Sequence, residues 1–360
     1  MWRKIGRVIG VILGWGLILA YILFASHLAQ EHRAKQSVVK VVVSMPDSTE
    51  MRRFASSQQM YKYLQNSGLK IEKELVDSVD AVKISEYIAR NGFVRDADVY
   101  VTYAGEVYVD IRQHQPVSRL LCGGLDSYIT EELDVFRSPK GAAYYTSVVT
   151  GSYSPRFPRN YEGNVAEYYD KLIGIENDKL MKIGEEFVAL KRQQNICNQR
   201  RKELKDDCRK PKWRSEDNHK QMLVGLMLEI KKCDDELLAL KSRREQLSKQ
   251  QRRVEARKKK LYERSKDFSD LINFVDQVGE DSFWSAEVVQ FVADTTSKGE
   301  ISLRLIPRSG NFVVEFGTLA QRKEKLEKLR KFYDEGLAYM GWERYRVVDV
   351  RYDKQVICTK

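Results

Sequence analysis

From Leu180 to Phe268 the chain carries two seams of positions spaced alternately by three and four residues. Leu180, Ile183, Phe187, Leu190, Gln194, Cys197, Arg201, Leu204 and Cys208 form the first seam. Leu223, Leu226, Ile230, Cys233, Leu237, Leu240, Arg244, Leu247, Gln251, Val254, Lys258, Leu261, Ser265 and Phe268 form the second. A heptad repeat of this kind buries one stripe of a helix against a partner helix, so the segment predicts two coiled-coil helices. Between them, in RKPKWRSEDN, Pro211 disfavours continued helix, and Ser215, Asp217 and Asn218 favour a turn and a new N-cap. The simplest arrangement is an antiparallel hairpin over 176–266 with its tip near residue 215, projecting about 50 Å at a rise of about 1.5 Å per residue. That register sets Leu190 opposite Leu240, Ile183 opposite Leu247 and Cys197 opposite Cys233. The two cysteines then form either a disulfide or a pair of reduced core residues.

Charge follows the same boundary. The formal charge is +11 over 360 residues. Residues 176–266 hold 27 Lys or Arg and 16 Asp or Glu, and the rest of the chain balances at 35 of each. Such a run is either the solvated face of a coiled coil or a surface for anionic lipid headgroups or acidic envelope components. The five cysteines contain no C-x-x-C and the four histidines are scattered, so no metal site is expected.

Val8 to Ala25 is an uncharged stretch of 18 residues, just long enough to cross the hydrocarbon core as a helix. Arg3, Lys4 and Arg7 precede it and the next basic residue is Arg33. The positive-inside rule therefore predicts a cytoplasmic tail over 1–7, a transmembrane helix over 8–25, a linker over 26–37 and an outer body beyond it. A cleaved signal peptide fits less well, because LFASHLAQ offers only a poor small-x-small site. Gly6, Gly10 and Gly14 share one face of the expected span. They either admit a second helix closely or reflect the general frequency of glycine in membrane helices.

The outer part reads as α+β. SVVKVVVSM is a strand, SSQQMYKYLQNSG a short helix with Met60, Tyr63 and Leu64 inward, and DAVKISEYIARNG a second helix with Asp80 as N-cap. DADVYVTYAGEVYVDIRQHQP is a β-hairpin turning at Ala104-Gly105. The order strand, helix, helix, strand, strand over 38–115, after a membrane anchor, resembles a POTRA domain. GFVRDADVYVTYAGEVYVDIRQHQPV then resembles the hairpin of that domain in the FtsQ/DivIB family of bacterial cell-division proteins. SYITEELDVFRSP and YYTSVVTGSY resemble the opening of that family's β domain. DSFWSAEVVQFV, GEISLRLIPRSGNFVVEFG, EKLEKLRKFYDEGLAYMGWERYRVVDVRY and QVICTK resemble its close in FtsQ of the Bacteroidetes type. The β domain would thus occupy 116–175 and 267–360, split by the hairpin.

The resemblance implies a non-enzymatic, single-pass protein of the inner membrane, with its body in the periplasm and its place at the division septum. Its POTRA domain would recruit other divisome proteins, and its β domain would hold FtsB/FtsL-like partners and help control septal wall synthesis. In the family the partner adds a strand to the last strand of the β domain. Here the closing alternation places Val348, Val350, Tyr352, Val356 and Cys358 on one face of a single strand. The matching contact positions are Tyr352, Lys354, Gln355, Val356 and Ile357, engaged by β-augmentation. An alternative use of the same parts is a POTRA-containing envelope transport or secretion adaptor.

Signs of chemistry are few. There is no Gly-x-Ser-x-Gly, His-Glu-x-x-His or phosphate-binding loop, and the two Ser-x-x-Lys tetrads, at Ser37 and Ser67, lack their partner motifs. No catalytic residue, cofactor or small-molecule substrate is expected. The aromatic and basic mixture in RKFYDEGLAYMGW reads as an amphipathic helix with Phe332, Leu337, Tyr339 and Met340 inward and Gly341 as C-cap, rather than as a nucleic-acid surface.

Overall fold

The computed structural model describes residues 15–27, 36–46, 53–137, 143–209, 216–342 and 344–360. Residues 15–27 form a helix, α1, that exposes Trp15, Leu19, Tyr21 and Phe24. The expected tail, Gly6, Gly10, Gly14 and the part of the expected span over 8–14 lie outside the described residues. Among the described residues no helix is long and apolar enough to cross a membrane.

The domain that follows has the expected order: β1 (Lys40–Ser44), α2 (Ser57–Gln65), α3 (Ala81–Ala89), β2 (Val94–Val101) and β3 (Glu106–Gln113). Its sheet runs β1-β3-β2, with β1 parallel and β2 antiparallel to β3. The local chemistry explains the helix starts. Ser56 and Gln59 form a reciprocal capping box on α2, and the Asp80 carboxylate accepts the Lys83 N–H at the start of α3. Met60, Leu64, Ile84 and Ile88 bury one stripe of the two helices with Val107, Val109 and Ile111 of β3. This core does not end at the domain boundary. Phe54 packs edge-on against Tyr128 and Phe136 and stacks on Tyr144, so the first β strands of the next domain close the same core.

That next domain is one ten-stranded sheet. Its strands before the hairpin are β4 (Ser118–Cys122), β5 (Ser127–Ile129), β6 (Asp134–Arg137), β7 (Ser147–Gly151) and β8 (Gly163–Asn164). Two long helices come next, α4 (Val165–Arg209) and α5 (Glu216–Glu280), then a short helix, α6 (Trp284–Glu287). The chain re-enters the sheet as β9 (Val288–Thr295), β10 (Ile301–Pro307) and β11 (Val313–Gly317). It then forms α7 (Arg322–Lys331), a π-helical segment over Phe332–Leu337 and α8 (Ala338–Met340), and ends in β12 (Val347–Asp349) and β13 (Ile357–Thr359). The order across the sheet is β13-β12-β11-β10-β9-β7-β4-β5-β6-β8. The two parts separated by the hairpin thus join at β7 and β9, which pair in parallel with Val149 opposite Phe291. The end of α5 covers the sheet with Phe274 against Phe291 and Phe316, and Ile272, Val275 and Val278 are fully buried.

On the helix before β12 the inward positions are Leu326, Leu329, Tyr333 and Leu337. Leu337 is inward as expected, and the Met340 side chain lies outside the described residues. Phe332 is half-buried and Tyr339 is 86% exposed, because spacings of four residues from Leu329 carry the buried face through Tyr333 instead. Gly341 does close the helix, with φ +90 and its N–H donated to Leu337.

The hairpin forms a unit of its own over 155–157 and 164–271. Ile183, Leu247 and Val254 are its buried cluster, with Leu180, Phe187 and Leu190 packed on it. Ion pairs Glu186–Arg243 (3.1 Å) and Arg201–Asp234 (2.7 Å) tie the two helices antiparallel. The helical run begins at Val165, ahead of the expected boundary at 176, since no breaker separates NVAEYYDKLI from the first heptads. All five cysteines are free thiols in the structure. Cys233 is buried, and Cys197 donates to the Glu236 carboxylate at 3.4 Å.

Candidate partner-binding edge

The single closing strand expected from alternation is two strands and a turn. Val348 and Val350 are fully buried where β12 runs parallel to β11, and the Val350 N–H donates to the Glu315 carbonyl at 3.1 Å. The chain then leaves the sheet. The Asp349 side chain accepts the Arg351 N–H at 2.9 Å and takes the Arg351 guanidinium in three further bonds at 2.6, 3.0 and 3.1 Å. This local side-chain to backbone bond replaces a ladder bond and ends the strand. Arg351 is itself held on Gly317, where φ is +72 and an added Cβ would lie 2.8 Å from the Arg351 Cγ. Lys354 takes φ +55, a left-handed turn position, and the chain returns as β13.

The expected contact residues therefore separate. Tyr352, Lys354 and Gln355 lie in the turn, Val356 leads into β13, and only Ile357 is on a strand. Asp349 falls on the opposite face of the alternation from Val348 and Val350, yet it is 8% exposed beneath Arg351. Burial alone would raise its carboxyl, but the hydrogen bonds and charge of Arg351 outweigh that and hold it below the ordinary carboxylate value.

Cys358 was not among the expected positions. β13 pairs antiparallel with β12, with Cys358 opposite Val348, and β12 is its one hydrogen-bonded neighbour among the described residues. The Arg346 N–H donates to the Thr359 carbonyl at 2.9 Å, so Thr359 turns its backbone toward β12. Backbone direction alternates along a strand, so the N–H and C=O of Cys358 point away from the sheet. The signal for this in the sequence was Asp353-Lys354, a turn pair inside the alternation.

Beside the edge lies a groove of about 670 Å³ between the α7 face and the turn, lined by Lys325, Lys328, Phe332, Gly336, Tyr352 and Val356 among others. The Lys328 ammonium donates to the Tyr352 carbonyl and fixes the turn against α7. Lys325 is buried, donates to the Thr318 carbonyl at 2.7 Å and sits 5.3 Å from the Phe316 ring centre, which makes it part of the groove floor. Among the described residues no group of three or more His, Cys, Asp or Glu is placed to hold a metal.

Comparison with known proteins returns the same two parts. Residues 37–112 match the POTRA-like domain, and residues 248–359 match the family described as FtsQ/DivIB, C-terminal related. The second match begins inside α5, so the end of that helix belongs with the β domain. The search of curated proteins found no match. The chain thus carries a POTRA-like domain over 37–112 and, over 248–359, a part similar to the FtsQ/DivIB C-terminal-related family, with the long α4–α5 helical hairpin between the first and last strands of its larger sheet.

Proposed function

We propose that the chain is a non-enzymatic scaffold of the bacterial division machinery, held in the inner membrane by its N-terminal segment with its body in the periplasm. Its POTRA-like domain recruits divisome proteins. Its β domain holds FtsB/FtsL-like partners by strand addition and so helps control septal wall synthesis. The observation that carries this reading is the outward-facing edge of β13 next to the α7 groove. Backbone groups of Cys358 supply directional hydrogen bonds, and the groove takes the side chains or the helix that precedes an added strand. Tyr352, Lys354, Gln355 and Val356 then act as the wall of the groove rather than as ladder residues, and Ile357 presents a 42% exposed apolar side chain at the strand itself.

The full chain carrying a fluorescent protein at its N-terminus tests the role in cells. It should concentrate in a band at midcell and co-purify with FtsB/FtsL-like proteins. Uniform envelope staining without those partners would contradict the proposal and support the transport or secretion adaptor.

A further inference from the structure

The end of the hairpin has a second apolar face. Val224, Met227 and Leu228 of α5 are 68%, 63% and 57% exposed. They sit three, four and one residues apart, on one side of the helix. Leu223, Leu226, Ile230 and Cys233 occupy the other side, the seam with α4. The run MLVGLML is therefore apolar all round, and a helix of that kind is ordinarily covered on every side. Lys220, Lys231 and Lys232 are exposed and bracket the uncovered face.

We infer that this face docks on the anionic headgroups of a lipid bilayer. Val224, Met227 and Leu228 enter the boundary between headgroups and acyl chains, and Lys220, Lys231 and Lys232 lay their stems on the apolar surface and reach the phosphates. Charge selects this occupant. Residues 176–266 carry an excess of +11, so a second copy of the hairpin would bring like charge to the contact, whereas an anionic surface brings its complement. Size agrees. Three side chains on a convex helix are far short of the roughly 800 Å² each partner gives to a stable protein interface. An interfacial helix needs no matching concave surface.

The test uses the full chain in phosphatidylcholine nanodiscs, mixed with vesicles of phosphatidylcholine alone or with added phosphatidylglycerol, and reads flotation. The protein should float with the anionic vesicles only, and less as salt is raised. The triple variant Lys220→Glu, Lys231→Glu, Lys232→Glu should weaken flotation by about a hundredfold or more. Val224→Ser with Met227→Ser and Leu228→Ser should also weaken it, at unchanged helical circular dichroism. A control triple on the exposed, off-seam face further along α5, Arg253→Glu, Arg257→Glu and Lys260→Glu, should change it by about threefold or less. Equal flotation with neutral vesicles would overturn the inference, as would equal loss in the control. Pairing of nanodiscs without vesicles would assign the face to a second copy instead.

Discussion

Gly151 is the position where one added methyl group tests how the two separated parts of the β domain are joined. It ends β7, opposite Cys122 of β4, and faces β9 with φ +109. A Cβ there would lie 2.1 Å from the Ala293 carbonyl oxygen, 2.8 Å from its carbon and 2.9 Å from its nitrogen. These are backbone atoms, so no rotamer change relieves the clash. The surroundings are also pinned: the Ala293 carbonyl accepts the Tyr153 N–H at 2.9 Å, and the Ser152 N–H donates to the Asp294 carboxylate at 2.9 Å. A non-glycine residue in so sparsely populated a conformation costs about 1–3 kcal/mol. Forcing two packed strands apart costs about 1–3 kcal/mol more. Gly151→Ala should then destabilise the β domain by about 2–6 kcal/mol, a large part of the roughly 5–15 kcal/mol that holds a typical domain. For a body of this size that lowers the melting midpoint by about 5–20 °C. Near-ultraviolet circular dichroism of the full chain in detergent reads the aromatic core directly. A midpoint within about 1 °C of the parent would refute the close parallel approach of β7 and β9 and the route by which the sheet is rejoined.

Two further outcomes follow from named residues. Because Asp349 is held below the ordinary carboxylate value, its contribution to folding is complete above about pH 4 and is lost as pH falls through the depressed value. The melting midpoint of Asp349→Asn should therefore lie below that of the parent at neutral pH, with the gap closing below about pH 4. A gap that persists unchanged in acid would mean that charge is not what Asp349 contributes. In the hairpin, protein exported to an oxidising compartment should yield a peptide linking Cys197 to Cys233 in a non-reducing digest. A Cys208–Cys233 link would move the tip away from residue 215, and two free thiols would make the pair core residues only.

The features legible in the sequence were those set by local repetition. Heptads fixed the hairpin and its pairing of Ile183 with Leu247, and the caps Asp80 and Gly341 fall where their chemistry demands. The terminal strand misled because alternation of period two survives a turn. Val348 and Cys358 face each other across a hairpin, yet in sequence they keep the same parity, so one strand and two strands read alike. The distinction rested on Asp349 bonding its own downstream backbone and on a positive φ at Lys354, neither of which changes the apolar pattern. The order of the sheet was equally out of reach. β7 and β9 meet across more than 130 residues, and nothing local to either strand names its neighbour. For the same reason the outward backbone of Cys358 could not be chosen over Gln355 until the ladder was known.

The most direct measurement is the affinity of the full chain for the outer segment of the proposed FtsB/FtsL-like partner, compared between Cys358→Pro and Cys358→Ala. Proline at this position removes an N–H that β12 does not use and places its ring where an added strand would pair. The Ala variant keeps that N–H. Binding should be weaker by about tenfold or more for Cys358→Pro, with Cys358→Ala close to the parent and both proteins folded. Unchanged binding by a folded Cys358→Pro would contradict strand addition at β13.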